Sequence, residues 1–290
     1  MSNFYVRRLG KSAVKGKSKQ PLKSNILLKQ KYGRLALVAG ASEGIGAAFA
    51  THLAADGIDL VLVARRLAPL EELAASLTER YHVHVECVTC DLADMNAAQH
   101  LQKAVEGKEI DVLVYNAALS YIGPFENNSI EHHNQLAQAN MVTPMNLMQI
   151  FGAPMLKRGK GALILMASLA GFQGSGFLAA YAASKAFNRV LAESLWYEWK
   201  DRGVDVIACC AGATSTPNFI NTKPEKTSLF APRVQTPDEV VKECFEKLGK
   251  SPSFVTGTGN KIASFIMQRL MPRRLAITIM GDTTRKMYRL

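Results

Sequence analysis

Seven short apolar runs recur along the chain, each followed by a helix-length stretch, and this alternation constrains the fold more than any other feature. The runs cover residues 35–39, 60–64, 83–89, 112–115, 162–166, 204–208 and 254–257. Helical patterns intervene, as at 47–56, 67–81, 131–156 and 181–202. Runs of four to seven apolar residues read as buried strands. Strands that alternate with helices need crossovers, and the result is a parallel sheet covered on both faces. The pattern therefore predicts an α/β fold: a doubly wound, mostly parallel, seven-stranded sheet with helices on both sides. A length of 290 residues with 48% hydrophobic and 20% charged residues is enough for one domain with a large core. Ligands of such a sheet bind at the carboxyl ends of the strands.

The first run leads straight into Gly40-Ala-Ser-Glu-Gly44-Ile-Gly46 and then a helical stretch. A strand, a glycine turn and a helix N-terminus together form an anion cradle, because the backbone can approach the ligand and the helix presents N–H groups. A plain tight turn gives the same glycines, so the strand-to-helix position carries the inference. Further along, Tyr181-Ala-Ala-Ser-Lys185 places a phenol and an ammonium one helical turn apart on one face. An ammonium beside a phenol favours the phenolate and lowers a pKa that is ordinarily about 10. Such a phenol can exchange a proton with an alcohol oxygen near neutral pH. Ser168 stands thirteen residues before Tyr181, at the end of the fifth run.

Together these residues resemble the short-chain dehydrogenase/reductase family over about 225 residues, from Tyr32 to Gly257. The family's Thr-Gly-x3-Gly-x-Gly motif appears as Ala39-Gly40-x3-Gly44-x-Gly46, and its Asn-Asn-Ala-Gly as Tyr115-Asn116-Ala117-Ala118. Its Pro-Gly-x3-Thr appears as Ala211-Gly212-x3-Thr216. The resemblance implies a Rossmann-type sheet and a catalytic tetrad of Asn140, Ser168, Tyr181 and Lys185. Tyr181 is then the general acid in the reducing direction, and Lys185 tunes it and binds the nicotinamide ribose. Ser168 polarises the substrate oxygen as an oxyanion-type donor. The departures at Ala39, Tyr115, Ala118 and Ala211 fall in supporting positions of the cofactor site.

The resemblance also implies a nicotinamide cofactor held by Gly40, Ser42, Glu43, Gly44, Ile45, Gly46, Asp91, Leu92, Asn116, Ala117, Gly212, Thr214 and Thr216, with Tyr181 and Lys185. Asp91-Leu92 is the step that caps the adenine, and Asn116 buttresses the central strand. NAD-preferring relatives carry an acid after the second strand, whereas here that strand ends in Arg65-Arg66. A guanidinium suits a 2′-phosphate. Glu43 argues the other way, because some NADP-preferring relatives carry a base there. Arg65 replaces the acid directly, so NADP(H) is expected over NAD(H).

Asn140 lies in a helical pattern with Pro144 four residues on. Proline has no N–H, so the Asn140 carbonyl loses its helical partner and must bond something else, water being the natural choice. In the family this asparagine's backbone holds a relay water; an ordinary proline kink is the alternative. Leu119, Tyr121, Phe172, Phe177, Leu178, Phe219 and Ile220 are an apolar set expected around the substrate, although several could be core. They favour a hydrophobic carbonyl compound, such as a hydroxysteroid or 3-ketoacyl substrate.

Charge is unevenly placed. Ten of the 35 Lys/Arg and none of the 24 Asp/Glu lie in residues 1–34, so the remainder holds 25 bases against 24 acids. Residues 1–31 are expected to be a basic, disordered tail, rich in Lys, Ser and Gly between Lys11 and Lys23. A mobile end, an anionic membrane anchor and a transit peptide all remain open for it. No specific nucleic-acid partner is expected. The catalytic domain is expected over 32–258 and a helical extension over 259–290. There Ile262, Phe265, Ile266 and Leu270 form one stripe, which could pack on the body, lid the pocket or lie on a membrane. No apolar run approaches the roughly 18 residues of a spanning helix. The five cysteines lack ligand or disulfide spacing, so no metal is expected and a reducing, cytoplasmic setting is.

The expected activity is an NADP(H)-dependent oxidoreductase interconverting a ketone and a secondary alcohol, and the resemblance leaves a homo-oligomer open. The other class is a non-catalytic nucleotide sensor or scaffold tethered by its tail. Fold alone does not choose, but an intact tetrad favours the enzyme.

Overall fold

The computed structural model describes residues 6–9 (backbone only), 28–225 and 233–290. In chain order the strands are β1 (Val6–Leu9), β2 (Leu35–Ala39), β3 (Asp59–Ala64), β4 (Val85–Thr89), β5 (Val112–Tyr115), β6 (Gly161–Ser168), β7 (Val204–Ala211) and β8 (Ser253–Val255). They form one sheet in the order β1-β4-β3-β2-β5-β6-β7-β8. β2 to β8 pair in parallel and are the seven expected strands. The strand order reverses between β2 and β5, the topological switch point at which a cleft opens above the carboxyl ends.

The helices are α1 (Leu28–Tyr32), α2 (Gly44–Ala55), α3 (Leu67–Tyr81), α4 (Ala97–Ala104), α5 (Ile130–Ala137), α6 (Thr143–Arg158), α7 (Ala179–Trp199), α8 (Pro217–Asn221), α9 (Pro237–Lys247), α10 (Thr258–Phe265) and α11 (Arg273–Tyr288). Alternate residues of each strand feed two cores. Ala36 and Val38 pack with Phe49, Leu53, Leu70 and Val240 of α2, α3 and α9. Leu37 and Ala39 pack with Leu101, Leu147, Phe151 and Trp199 of α4, α6 and α7.

Three features depart from expectation. First, β1 adds an eighth strand, antiparallel to β4 with Val6 opposite Val88 and Leu9 opposite Val85. Secondly, residues 28–31 are not tail. Leu28 and Tyr32 are buried on one face of α1. The Tyr32 hydroxyl donates to Asp205 at 2.8 Å, and Lys31 pairs with the same carboxylate at 2.7 Å. The Leu28 N–H donates to Asp56 at 3.1 Å. α1 thus belongs to the folded body, because two buried side chains and three polar contacts fix the turn. The other tail residues, 1–5 and 10–27, lie outside the described residues.

Thirdly, the helix expected over 131–156 is two helices joined by a π-helical turn, Gln138–Val142. The Thr143 N–H reaches back five residues to the Gln138 carbonyl. Pro144 has no N–H to offer the Asn140 carbonyl, and the widened turn forms where that bond is missing.

Candidate active site

The glycine turn closes against the end of the neighbouring strand. Gly40 leaves β2 with φ of 82°, and the Asn116 side chain donates to its carbonyl at 2.9 Å. A Cβ on Gly46 would sit 1.9 Å from that same carbonyl, so no side chain fits there. α2 then starts at Gly44. Its N-cap, Glu43, makes no side-chain cap bond, and the first turn contains no acid. Uncapped N–H groups at a helix N-terminus form an anion site. On the far lip, a Cβ on Gly44 would lie 2.8 Å from the Thr216 methyl, so the loop after β7 crosses the cradle. Thr214 donates to the Gly212 carbonyl at 3.1 Å, and Thr216 caps α8 by accepting from the Phe219 N–H. Ser42 and Ile45 are half-buried in the turn. Ala117 backs it, its N–H bonded to the Ala39 carbonyl at 3.0 Å.

Arg65 and Arg66 follow β3 and are exposed. Arg66 pairs with Glu43 at 2.8 Å, which neutralises the one acid in the turn. Arg65 has no carboxylate partner among the described residues. Asp91 stands exposed after β4 and accepts the Ala93 N–H at 3.1 Å. The buried Leu92 turns its carbonyl to the Thr143 hydroxyl at 2.9 Å. A donor-rich glycine cradle with a guanidinium after the second parallel strand suits a dinucleotide phosphate.

The four tetrad positions come from three elements. Ser168 ends β6, Tyr181 and Lys185 lie on α7, and Asn140 lies in the π turn. α7 is seated closely on the turn after Ser168: a Cβ on Gly171 would be 2.7 Å from the Ala186 nitrogen. The Tyr181 phenol lies beside Ser168, whose hydroxyl accepts the Ala170 N–H at 3.2 Å. The Lys185 ammonium is buried, donates to the Met166 carbonyl at 2.8 Å and lies 5.7 Å from the Tyr181 ring centre. Asn140 is fully buried. Its amide accepts the Leu119 N–H at 2.8 Å and donates to the Leu119 carbonyl at 2.8 Å and to Ser184 at 3.0 Å. This side chain therefore clamps the loop after β5, and only the backbone carbonyl is left to serve a relay. Tyr115, which stands where the family has asparagine, sends its hydroxyl from the end of β5 to the Ala139 carbonyl at 2.5 Å. That bond ties the cofactor-side strand to the π turn.

The electrostatics differ from the expectation for an ammonium beside a phenol. Burial pushes the Tyr181 phenol up, the Ser168 hydroxyl pulls it back, and Tyr288 pushes it up again. Lys185 is pushed down to about 8 by burial. Its ammonium is engaged with the Met166 carbonyl, and Ser168 is the neighbour that pulls the phenol down.

Tyr288 carries no sequence motif. α11 brings it from the far end of the chain into electrostatic reach of Tyr181, with Thr222 beside its hydroxyl. The same end of α11 is latched to the segment after α8. The Glu225 N–H donates to the Met287 carbonyl at 3.0 Å, and Arg289 pairs with Glu225. Arg285 stacks 5.2 Å from the Phe177 ring centre. Phe177 itself has φ of 62° and accepts the Gly123 N–H at 2.9 Å. Of the apolar set, Phe172 packs on the core under the Arg189 guanidinium, and Ile220 is exposed. Among the described residues no cluster of metal-ligating side chains occurs, and all five cysteines are buried and unpaired.

Residues 34–227 match the family described as short chain dehydrogenase. A 7beta-hydroxysteroid dehydrogenase of Clostridium sardiniense is 34% identical over 233 residues, covering 80% of this chain and 89% of that protein. A very-long-chain 3-oxoacyl-CoA reductase of Phaeosphaeria nodorum is 31% identical over 225 residues, 76% of this chain and 64% of that protein. Among solved structures, one described under 7beta-hydroxysteroid dehydrogenase stereoselectivity superposes with a TM-score of 0.83 at 31% identity, covering 87% of this chain and 98% of that one. A short-chain dehydrogenase from Sphingobium yanoikuyae in complex with NADPH superposes with a TM-score of 0.70 at 29% identity, covering 77% and 87%. With that fold, that cradle and these relatives, the chain belongs to the short-chain dehydrogenase family of oxidoreductases, which act on hydroxyl and carbonyl groups.

Proposed function

We propose that the protein interconverts a hydrophobic ketone and its secondary alcohol with NADP(H). The observation that carries this reading is the Tyr181 phenol beside Ser168 and one helical turn from a buried Lys185, next to a glycine cradle. The cofactor, when bound, supplies or accepts the hydride. Tyr181 gives its proton to the oxygen that becomes the alcohol, and Ser168 donates its hydroxyl proton to that same oxygen. Lys185 holds the ribose and passes protons onward, with the Asn140 carbonyl as the next acceptor.

NADP(H) is preferred over NAD(H) in this reading because Arg65 is open to a 2′-phosphate while Arg66 masks Glu43. The substrate class follows from the apolar set of the loops after the strands, such as Leu119, Tyr121 and Phe177, and from relatives named 7beta-hydroxysteroid dehydrogenase and very-long-chain 3-oxoacyl-CoA reductase. The catalytic body is residues 28–258, with 259–290 reaching over its substrate side. Five buried thiols suit a reducing compartment.

The test is NADPH consumption against ketosteroids, 3-ketoacyl thioesters and small ketones, by wild type and Tyr181→Phe. The phenylalanine variant should lose roughly 100- to 10,000-fold in turnover, the usual worth of a general acid, and bind NADPH as wild type does. Turnover within tenfold of wild type would refute the assigned proton donor.

A further inference from the structure

We infer that the outer face of α10 and α11 is a docking surface for an anionic lipid bilayer. Ile262, Phe265, Ile266 and Leu270 recur at helical spacing, the pattern of a face that packs on a core. Here that face points outward: the four are 57%, 59%, 41% and 69% exposed. Leu275 and Ile279 continue the apolar surface on α11 at 49% and 39%. α11 has already spent its inner face, where Ala276 and Thr284 are buried and Ile277 meets Gly174. The outer stripe is therefore surplus to folding, and large exposed apolar patches mark interaction sites.

Charge decides the occupant. From Thr258 to Leu290 the chain carries Lys261, Arg269, Arg273, Arg274, Arg285, Lys286 and Arg289 against one acid, Asp282. Lys261 is paired with Glu243 and Arg289 with Glu225, while Arg269, Arg274 and Lys286 are exposed with no carboxylate partner among the described residues. A second copy seated on this face by a two-fold axis would bring these cations against their own kind, which is costly. An exposed apolar stripe in a segment with an excess of unpaired cations is instead the composition of a helix that lies in a membrane interface, its apolar side among acyl chains and its cations at anionic headgroups. No helix among the described residues is long and apolar enough to cross a membrane, so the contact is peripheral.

The basic tail is a confounding anchor, so the test uses the full chain with Lys11, Lys15, Lys17, Lys19 and Lys23 replaced by glutamine, which keeps β1 and α1 in place. The probes are phosphatidylcholine vesicles with and without 30% phosphatidylserine. The tail-neutralised protein should sediment with the anionic vesicles at low salt, release as salt rises, and bind neutral vesicles at least tenfold more weakly. Replacing Ile262, Phe265, Ile266 and Leu270 by serine should abolish sedimentation. Arg269→Gln with Arg274→Gln and Lys286→Gln should weaken it about tenfold and flatten its salt dependence. All seven side chains are exposed, so melting temperature and NADPH binding should not change. The inference is overturned if the tail-neutralised protein stays in the supernatant, if the serine variant binds as well, or if neutral vesicles bind equally. It is also overturned if the serine changes only convert a dimer to a monomer, which would make a second copy the occupant.

Discussion

The two walls of the cleft are built on different principles. The wall proposed to hold the nucleotide is backbone against backbone: Gly46 under the Gly40 carbonyl, Ala117 against Gly40, Thr216 over Gly44. Its strands are buried on both faces, and it has little room to yield. The wall proposed to face the substrate is side chain against side chain: Tyr288 beside Thr222, Arg289 on Glu225, Arg285 over Phe177. Its outer surface is uncovered apolar side chain. The contrast suggests that nucleotide recognition tolerates almost no change, whereas the substrate side can be altered piece by piece. Surface ion pairs such as Arg289–Glu225 contribute about 0–1 kcal/mol each, well below the roughly 1–3 kcal/mol of overpacking a tight site.

The largest test of this contrast lies between the walls, at Lys185. Burial holds its pKa down to about 8 from 10.5, so between those values the folded protein binds fewer protons than the unfolded chain. Stability should therefore rise with pH across that window, because the unfolded state is the one that binds the extra proton. Below about pH 8 the ammonium is charged and buried at a cost. Lys185→Met should accordingly keep or raise the melting temperature at pH 7 while lowering turnover by about 100-fold or more. A drop of several degrees would mean that the bond to Met166 outweighs desolvation and that this lysine is first a structural anchor.

Next in size is Arg65→Asp. Losing a charge-assisted contact of about 1.5–3 kcal/mol should shift the NADPH/NADH ratio of kcat/KM by roughly ten- to a hundred-fold toward NADH. Arg66→Gln should shift it less, since Arg66 is engaged with Glu43. Equal shifts from both would show that the pair opens when the nucleotide binds.

The smallest effect is expected on the substrate wall. Tyr288→Phe should raise KM for a bulky ketone a few-fold, leave KM for a small ketone and the NADPH affinity unchanged, and lower the kinetic pKa assigned to Tyr181, whose phenol Tyr288 pushes up. No movement in either readout would reduce Tyr288 to a latch for α11.

What could be read from the chain divides along the same line. The seven parallel strands and α3 follow from local periodicity, and the glycine turn follows from its position between a strand and a helix. Tyr181 and Lys185 are one turn apart wherever the helix lies. Pro144 announced a freed carbonyl at Asn140, and the structure resolved it as a π turn rather than a kink. The pairing of Glu43 with Arg66, the Tyr115 bond to Ala139 and the arrival of Tyr288 beside Tyr181 have no local signature. Each depends on where a distant segment lands. The clasp of α1 on Asp205 was hidden for a further reason: it is embedded in a run whose composition is that of a solvated tail.

The short strand Val6–Leu9 bears on solubility. A sheet that ended at β4 would present a row of unpaired backbone donors and acceptors, a template on which other chains can add strands. β1 runs antiparallel along that edge and pairs four of its residues. The same segment that supplies charge to the tail thus also closes one end of the sheet. Trimming it for convenience would leave the chemistry in place and give the protein a new way to aggregate.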